Sequence, residues 1–224
     1  VRWNPRTLYD KFFKEPAEAD RFLSHVCTME WHVAHDLGVT FADNRAPLLE
    51  RFPEYSDAIH AWESRWWEMF SGAIPETEAA IEALHAAGVP QYGVTNMSHE
   101  TFPGTIAMSP AFKRLKDYVV SAHDGIIKPD PAFYALACER FGLEPSQVLF
   151  FDDSEWNIRA AQAFGFVVHH FTDPAAVRPA LEARGLLWAR ALRSNWIVIA
   201  GRLSRRPIRT NCPGKNVDLG VYGW

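Results

Sequence analysis

The chain has 224 residues, a formal net charge of −4 and a hydrophobic fraction of 48%, which suits one ordinary domain with an insertion or two small domains. No apolar stretch reaches the length of a membrane-spanning helix, and the first residues lack the apolar segment of a signal peptide. The three cysteines, Cys27, Cys138 and Cys212, show neither disulfide nor metal-ligand spacing. We therefore expect a cytoplasmic protein with a packed core and no membrane partner.

The charge balance changes sharply near the carboxyl terminus. Residues 188–224 carry seven Lys/Arg and one Asp, whereas the rest of the chain has a net charge of −10. Such a shift marks a compositional boundary. A basic segment is compatible with nucleic-acid binding, but this one contains no motif for it, so we expect no nucleic-acid partner. We interpret residues 188–224 as a disordered extension, foreign to the domain.

The first third of the chain predicts helices alone. Asn4 followed by Pro5 is a strong helix start, because a capping residue precedes a proline in the first helical turn. Pro16 begins a second helix that should end near Gly38. Two further helices are predicted over residues 45–51 and 57–70. We therefore interpret residues 1–72 as a small helical domain.

After Gly72 the pattern changes to alternating strands and helices. Short apolar strands are predicted over residues 89–95, 118–121, 148–151 and 166–169. The helices between and around them are predicted over residues 75–87, 98–108, 131–141, 155–164 and 174–184. This alternation predicts an α/β fold for residues 73–187, with a parallel sheet covered by helices on both faces.

Polar side chains follow three of these strands. Thr95 and Asn96 end the first, Lys128 lies after the second, and Asp152 and Asp153 end the third. Because parallel strands present their carboxyl ends at one edge, these groups should converge there. Paired carboxylates suit Mg²⁺, and a hydroxyl with an ammonium suits phosphoryl oxygens. The sequence therefore predicts a phosphate and magnesium site.

Each of these signals has an ordinary structural alternative when taken alone. Thr95-Asn96 is also typical of a turn, and a lone lysine before proline often faces solvent. Asp153 or Ser154 is also a suitable amino-terminal cap for the helix that follows. The order of the three groups, each after a strand, favours the site.

Three segments carry a family resemblance: Val94-Thr95-Asn96, Lys128-Pro129-Asp130-Pro131, and Phe151-Asp152-Asp153-Ser154 with Asn157. They resemble motifs two, three and four of the haloacid dehalogenase-like (HAD) hydrolases, in the branch with a small helical cap. The resemblance covers about residues 2–187. It implies a Rossmann-like core, a cap over residues 1–72 and a hydrolase acting on a small molecule.

The resemblance also implies roles for these residues. Thr95, Asn96 and Lys128 would bind the substrate. Thr95 would hold the transferring group, and Lys128 would neutralise charge during catalysis. Asp152 and Asp153 would hold Mg²⁺, with Asn157 in support. The chain departs from the pattern at His123, where an acidic residue is expected.

A further departure concerns the first motif, an apolar strand that ends in the nucleophilic aspartate. The resemblance puts this motif immediately before Val1, so we expect an amino-terminal truncation that removes the nucleophile and the central strand. The apolar run over residues 196–200 is an alternative occupant of the gap, with suitable β-branched residues but no acid nearby. We favour the foreign extension over this alternative.

Three functions remain in competition. The first is an Mg²⁺-dependent phosphatase of a small phosphate ester, acting through an aspartyl-phosphate, and the pair Asp152-Asp153 favours it. The second is a 2-haloacid dehalogenase, whose chemistry needs no Mg²⁺ and whose members usually lack paired acids at motif four. The third is an inactive fragment or binding module.

The helical domain offers two weaker signals. Trp62, Trp66 and Trp67 either line a substrate pocket or pack the cap against the core. His32 and His35 are three residues apart on a helix, so they are placed to share a ligand, although surface histidines are commoner.

Overall fold

The structure, a computed structural model, describes residues 1–187 and 196–201. A five-stranded parallel sheet is flanked by helices, and a group of helices formed by the first third of the chain precedes it. The predicted α/β fold with a helical cap is therefore confirmed. In the described part of the chain, no helix is long and apolar enough to cross a bilayer.

Five helices make up the cap: α1 (Arg6–Phe12), α2 (Pro16–His25), α3 (Met29–Asp36), α4 (Phe41–Arg51) and α5 (Ser56–Ser64). The single helix predicted from Pro16 to Gly38 is wrong, because Thr28 starts a new one. The Thr28 hydroxyl accepts a hydrogen bond from the Trp31 amide at 3.1 Å, which caps α3. The helix predicted over residues 57–70 ends at Ser64, and a 3-10 turn, Trp66–Met69, follows.

Aromatic side chains form the core of the cap. Tyr9, Phe22 and Trp62 are fully buried there, and Trp66 is nearly so. The Tyr9 hydroxyl donates to the Ala58 carbonyl at 3.0 Å, so burial leaves its polar end satisfied. Of the two roles considered for the tryptophans, core packing therefore describes Trp62 and Trp66, whereas Trp67 is 45% exposed.

Among the described residues, the α/β core comprises six helices and five strands. The strands are β1 (Gln91–Thr95), β2 (Tyr118–Val120), β3 (Val148–Asp152), β4 (Val167–His170) and β5 (Ile197–Ala200). The helices are α6 (Pro75–Ala86), α7 (Phe102–Ala107), α8 (Ser121–Asp124), α9 (Pro131–Phe141), α10 (Glu155–Phe164) and α11 (Val177–Glu182). Two of them are shorter than predicted, since α7 begins only at Phe102 and a 3-10 turn, Pro174–Ala176, precedes α11.

The sheet is buried on both faces, which explains the unbroken apolar run of β3. Leu149 and Phe151 pack on one side with side chains of α6 and α11. Val148 and Phe150 pack on the other side with α9 and α10. Strands covered on both faces need apolar residues at every position, and every residue of β3 is buried.

The central position of the sheet is taken by β5. The strand order is β2-β1-β5-β3-β4, and β5 runs parallel to both of its neighbours. Its β-branched residues fit this setting, with Val198 at 5% and Ile199 at 0% exposure. For residues 197–200 the structure thus differs from the disordered extension that the sequence favoured, because inner edges of β1 and β3 need hydrogen-bond partners. Residues 188–195 and 202–224 lie outside the described part of the chain.

The cap is joined to the core by two adjacent chain segments and touches it again at α8. The Arg2 amide donates to the Gly72 carbonyl, the Arg2 carbonyl accepts from the Ser71 amide, and Trp3 bridges Phe70 in antiparallel fashion. The Ser121 hydroxyl of α8 donates to the Asp36 carbonyl of α3 at 2.6 Å. The cap is thereby fixed beside the carboxyl ends of β1 and β2.

The position of β5 can be tested by truncating its buried centre. We expect Ile199→Ala to lower the free energy of unfolding by about 2–5 kcal/mol, because it opens a cavity inside the sheet. Urea denaturation measures this change. Val39→Ala, at a position 39% exposed, is the control and should have little effect. An Ile199→Ala protein as stable as the control would show that β5 is not part of the folded sheet.

Candidate active site

A buried ion pair lies at the carboxyl edge of the sheet. The Lys128 ammonium donates to Oδ2 of Asp152 at 2.6 Å, and the two residues are 3% and 0% exposed. The same ammonium donates to the Val94 carbonyl at 3.3 Å, which ties it to the end of β1. The structure therefore brings together Lys128 and Asp152, two of the residues singled out in the sequence.

The second oxygen of Asp152 is held by α10. Oδ1 accepts from the Ser154 amide at 2.9 Å and from Nδ2 of Asn157 at 2.9 Å. Ser154 also caps α10, as its hydroxyl accepts from the Asn157 amide. A buried carboxylate is tolerated when cations and hydrogen-bond donors surround it, so Asp152 is compensated on both oxygens.

Asn157 is itself positioned by Tyr134 of α9. The Tyr134 hydroxyl donates to the Asn157 carbonyl at 2.9 Å. Burial, with a smaller contribution from the Asp152 charge, raises the pKa of Tyr134 well above its usual value. The phenol therefore stays protonated and keeps its role as donor, in agreement with the supporting role proposed for Asn157.

Asn96 holds the main chain of Lys128. Its Nδ2 donates to the Lys128 carbonyl at 2.9 Å, and its Oδ1 accepts from the Lys128 amide at 2.9 Å. A side-chain amide that makes both bonds to one residue fixes the path of that residue's backbone. In the structure Asn96 is thus a positioning residue for Lys128, and the substrate contact considered for it remains a prediction.

Thr95 and Asp153 lie at the same edge but outside this network. The Thr95 hydroxyl, half-buried at the end of β1, donates to the Asn96 carbonyl at 3.4 Å. The carbonyl of Asp153 accepts from Nε2 of His170, at the end of β4, at 3.1 Å. Asp152 and Asp153 are adjacent in sequence, yet of the two only Asp152 forms an ion pair with Lys128 in the described part of the chain.

Gly201 is a site residue that the sequence did not reveal. Its amide donates to the Phe151 carbonyl at 2.6 Å directly after β5. A Cβ added to Gly201 would overlap Oδ2 of Asp152 and lie 2.9 Å from Nζ of Lys128. Only glycine lets the backbone come this close. The feature of the sequence that could have indicated this residue is a glycine directly after a run of β-branched residues.

Comparison with known proteins assigns the family. Residues 10–165, well over half of the chain, match the profile of the haloacid dehalogenase-like hydrolases. The chain belongs to this family. The family resemblance seen in the sequence is thereby confirmed, and the observed α/β fold agrees with it.

Similar proteins within the family include several dehalogenases. (S)-2-haloacid dehalogenase 1 of Pseudomonas sp. (strain CBS-3) is 33% identical over 94 residues, which cover 42% of this chain and 41% of that enzyme. The sesquiterpene phosphatase astK of Aspergillus oryzae is 31% identical over 107 residues, with coverages of 48% and 54%. The chain thus spans about half the length of the curated relatives it matches.

A solved structure supports the fold alone. The L-2-haloacid dehalogenase of Xanthobacter autotrophicus, with chloropropionic acid covalently bound, superposes with a TM-score of 0.55 at 16% identity. The match covers 88% of this chain and 89% of that one.

The described residues do not supply enough metal-ligating oxygen atoms for the predicted magnesium site. A carboxylate offers about four acceptor positions, and those of Asp152 already receive Lys128, Ser154 and Asn157. Mg²⁺ requires six ligands in near-octahedral geometry. Within residues 1–187 and 196–201, no group of three His, Cys, Asp or Glu side chains is placed to hold a metal ion. Asp153 therefore remains an unsupported ligand candidate.

His32 and His35 contact each other inside the cap. Their Nδ1 atoms are 3.3 Å apart, and Nε2 of His35 lies 3.0 Å from the Asn44 side-chain amide. Because that amide donates, the His35 proton must sit on Nδ1 and point at His32. Both rings are buried, so the proposal of surface histidines is wrong, and neither ring is arranged with a third ligand for a metal in the described residues.

The strength of the central ion pair can be measured by a double-mutant cycle. We expect Lys128→Met to lower the free energy of unfolding by about 3–5 kcal/mol, because it leaves a buried carboxylate uncompensated. Adding Asp152→Asn to this variant should cost far less than Asp152→Asn costs alone, since the two residues interact. Lys116→Met, at an exposed lysine, is the matched control. Additive losses in urea denaturation would contradict the pairing.

The buried His35 predicts a pH dependence of stability. Burial lowers the pKa of His35 to about 3, whereas an unfolded histidine titrates near 6.5 (about the usual value). As the pH falls below about 6.5, the histidine of the unfolded chain becomes protonated, whereas the folded chain keeps His35 neutral. The free energy of unfolding therefore decreases between about pH 6.5 and 3. We expect His35→Gln to flatten this loss and the exposed control His60→Gln to leave it unchanged. Equal pH profiles for both variants would refute the assignment.

Proposed function

We propose that the site serves the hydrolytic release of halide from a small 2-haloacid. The reaction replaces the halogen of the acid with a hydroxyl from water and releases halide and a proton. Two kinds of support are available. The names of the similar enzymes favour it over the phosphatase, and the spare donor of the Lys128 ammonium favours an anionic ligand. The proposal reverses the order in which the sequence ranked the two functions.

The relatives give the first support. Five of the curated proteins that match this chain are named (S)-2-haloacid dehalogenases, and a sixth is named a haloacetate dehalogenase. Their identities to this chain lie between 29% and 34%. Each is matched over only part of its length, so the substrate class comes to this chain as a proposal.

The donor capacity of Lys128 is the single observation that carries the proposal. A lysine ammonium has three donors, of which two go to Oδ2 of Asp152 and the Val94 carbonyl. The third has no assigned acceptor among the described residues. A buried ammonium with one donor to spare favours an anion, and a 2-haloacid supplies two, its carboxylate and the departing halide.

Asp152 acts on this cation rather than on the substrate. Its carboxylate balances the charge of the buried Lys128 ammonium. Its other oxygen is held by Asn157 and Ser154, so the ammonium is presented in one orientation. The described residues that contact the Lys128 side chain do not include a group placed to attack the substrate. We therefore assign no nucleophile.

A phosphatase remains the second candidate, because two acids follow β3 and one relative is named a sesquiterpene phosphatase. The same ammonium suits a phosphoryl oxygen. The two candidates differ in the released ion and in the need for Mg²⁺.

One paired assay separates the candidates. The full chain is incubated with (S)-2-chloropropionate and with p-nitrophenyl phosphate, each in EDTA and in Mg²⁺. We expect chloride release that EDTA does not affect, and a loss of roughly 100-fold or more in kcat/KM for Lys128→Met. The exposed-lysine control Lys116→Met should retain full activity.

The other outcomes point elsewhere. Phosphate release that depends on Mg²⁺, without chloride release, would replace the proposal with the phosphatase. Turnover of neither substrate would overturn enzymatic activity for this chain and support the non-catalytic alternative.

A further inference from the structure

A pocket of about 80 Å³ lies behind the active-site edge, between the sheet and the helical segments α6, α7 and Pro110–Arg114. Its walls are mostly apolar and include Ile81, Met97, Phe102, Ile106, Phe112 and Leu115. Thr95 and Gly201 also border it. It adjoins the ion pair through Thr95 and Gly201, although neither Lys128 nor Asp152 lines it.

One buried hydroxyl on the pocket wall lacks a partner. Thr77, in the first turn of α6, is 8% exposed, and its Oγ1 has no hydrogen-bond partner among the described residues. The other hydroxyls of the wall are engaged. Thr105 donates to the Thr101 carbonyl at 3.0 Å, and Tyr118 donates to the Phe112 carbonyl at 2.6 Å. A buried hydroxyl without a hydrogen-bond partner destabilises the folded protein. A ligand that forms a hydrogen bond with the Thr77 hydroxyl would remove this cost and gain binding free energy.

The chemistry of the walls indicates what that group belongs to. A water molecule is held well only where two to four polar partners surround it, and Thr77 is the single unpaired hydroxyl on the described wall. An apolar cavity of about 150 Å³ accepts benzene, which has six non-hydrogen atoms, so a pocket of about half that volume accepts roughly three to four non-hydrogen atoms. The pocket therefore suits a short apolar group that carries one oxygen.

We propose that this pocket binds the apolar end of a small molecule, with one oxygen hydrogen-bonded to the Thr77 hydroxyl. The ligand class is a short ketone or alcohol group, which either accepts from Thr77 or donates to it. This site does not depend on the reaction at Lys128. It adds a second binding region whose occupant contacts Thr95 and the end of β5.

Acetone and isobutene test the proposal, because they have the same shape and differ in one oxygen. Binding is followed by ¹³C-methyl NMR of Ile81 and Ile106 on the full chain. We expect saturable shifts of both methyl groups with acetone and weaker binding of isobutene. Shifts that rise linearly with acetone, without saturation, would overturn the proposal.

Variants of Thr77 identify the hydrogen bond. Thr77→Val keeps the shape and removes the hydroxyl, so acetone affinity should fall about five-fold while isobutene affinity is unchanged. Thr77→Ser keeps the hydroxyl and should keep the preference for acetone. A Thr77→Val protein that still prefers acetone would refute the role of Thr77.

A filled pocket provides the independent check. Ile106→Phe adds volume at the wall and should abolish the binding of both probes, with folding verified by circular dichroism. Unchanged acetone binding in Ile106→Phe would place the probe elsewhere and overturn the proposal, whatever the outcome of the halide assay.

Discussion

The buried pair of Lys128 and Asp152 is the interaction on which the rest of the site depends. Two charges removed from water are tolerated only where their remaining donors and acceptors are satisfied. The chain meets this requirement from four directions: β1 supplies the Val94 carbonyl, β3 the carboxylate, α10 the donors of Ser154 and Asn157, and Asn96 the clamp on the Lys128 backbone. Lys128, Asp152 and the groups that satisfy them therefore form one network.

The centre of the sheet and the active site constrain each other through β5. Its apolar residues fill both faces of the sheet between β1 and β3. Directly after them Gly201 passes so close to Asp152 and Lys128 that any side chain would collide with the pair. β5 thus completes the hydrogen bonding of β1 and β3, and the residue that follows it packs directly against the ion pair. A change at Gly201 would act on the fold and the ion pair together.

The sequence predicted those features that depend on local pattern. The alternation of strands and helices, the cap, and the approach of Lys128 to Asp152 all follow from apolar periodicity and from polar residues at strand ends. The sequence offered residues 196–200 for the central position of the sheet, which the structure confirms for residues 197–200, but ranked a foreign extension above it, because pairing between distant segments leaves no local signal. Asp152 and Asp153 also read alike in sequence, whereas in the structure Asp152 is the last residue of β3 and pairs with Lys128, and Asp153 lies beyond the strand.

The role of Asn96 and the capping by Thr28 show the same limit at a finer scale. The sequence suggested Asn96 as a substrate-binding residue and did not predict that both of its polar groups bond to the Lys128 main chain, which lies 32 residues away in sequence. Thr28 is a common capping residue, yet the apolar rhythm on either side of it predicted an unbroken helix. In both cases a polar side chain forms a hydrogen bond with the backbone, and the pattern of hydrophobic residues does not predict such bonds.

A chain of hydrogen bonds also connects the cap to the active-site edge. The Ser121 hydroxyl donates to the Asp36 carbonyl in the cap and accepts from the Met97 amide, which follows Thr95 and Asn96. Ser121 has 0% exposure, so water does not compete for these bonds. On the cap side, Asp36 ends the helix that carries His32 and His35. Because the loop that holds Lys128 through Asn96 is fastened to the cap through Ser121, the position of the cap and the placement of the ammonium are coupled by short, buried bonds.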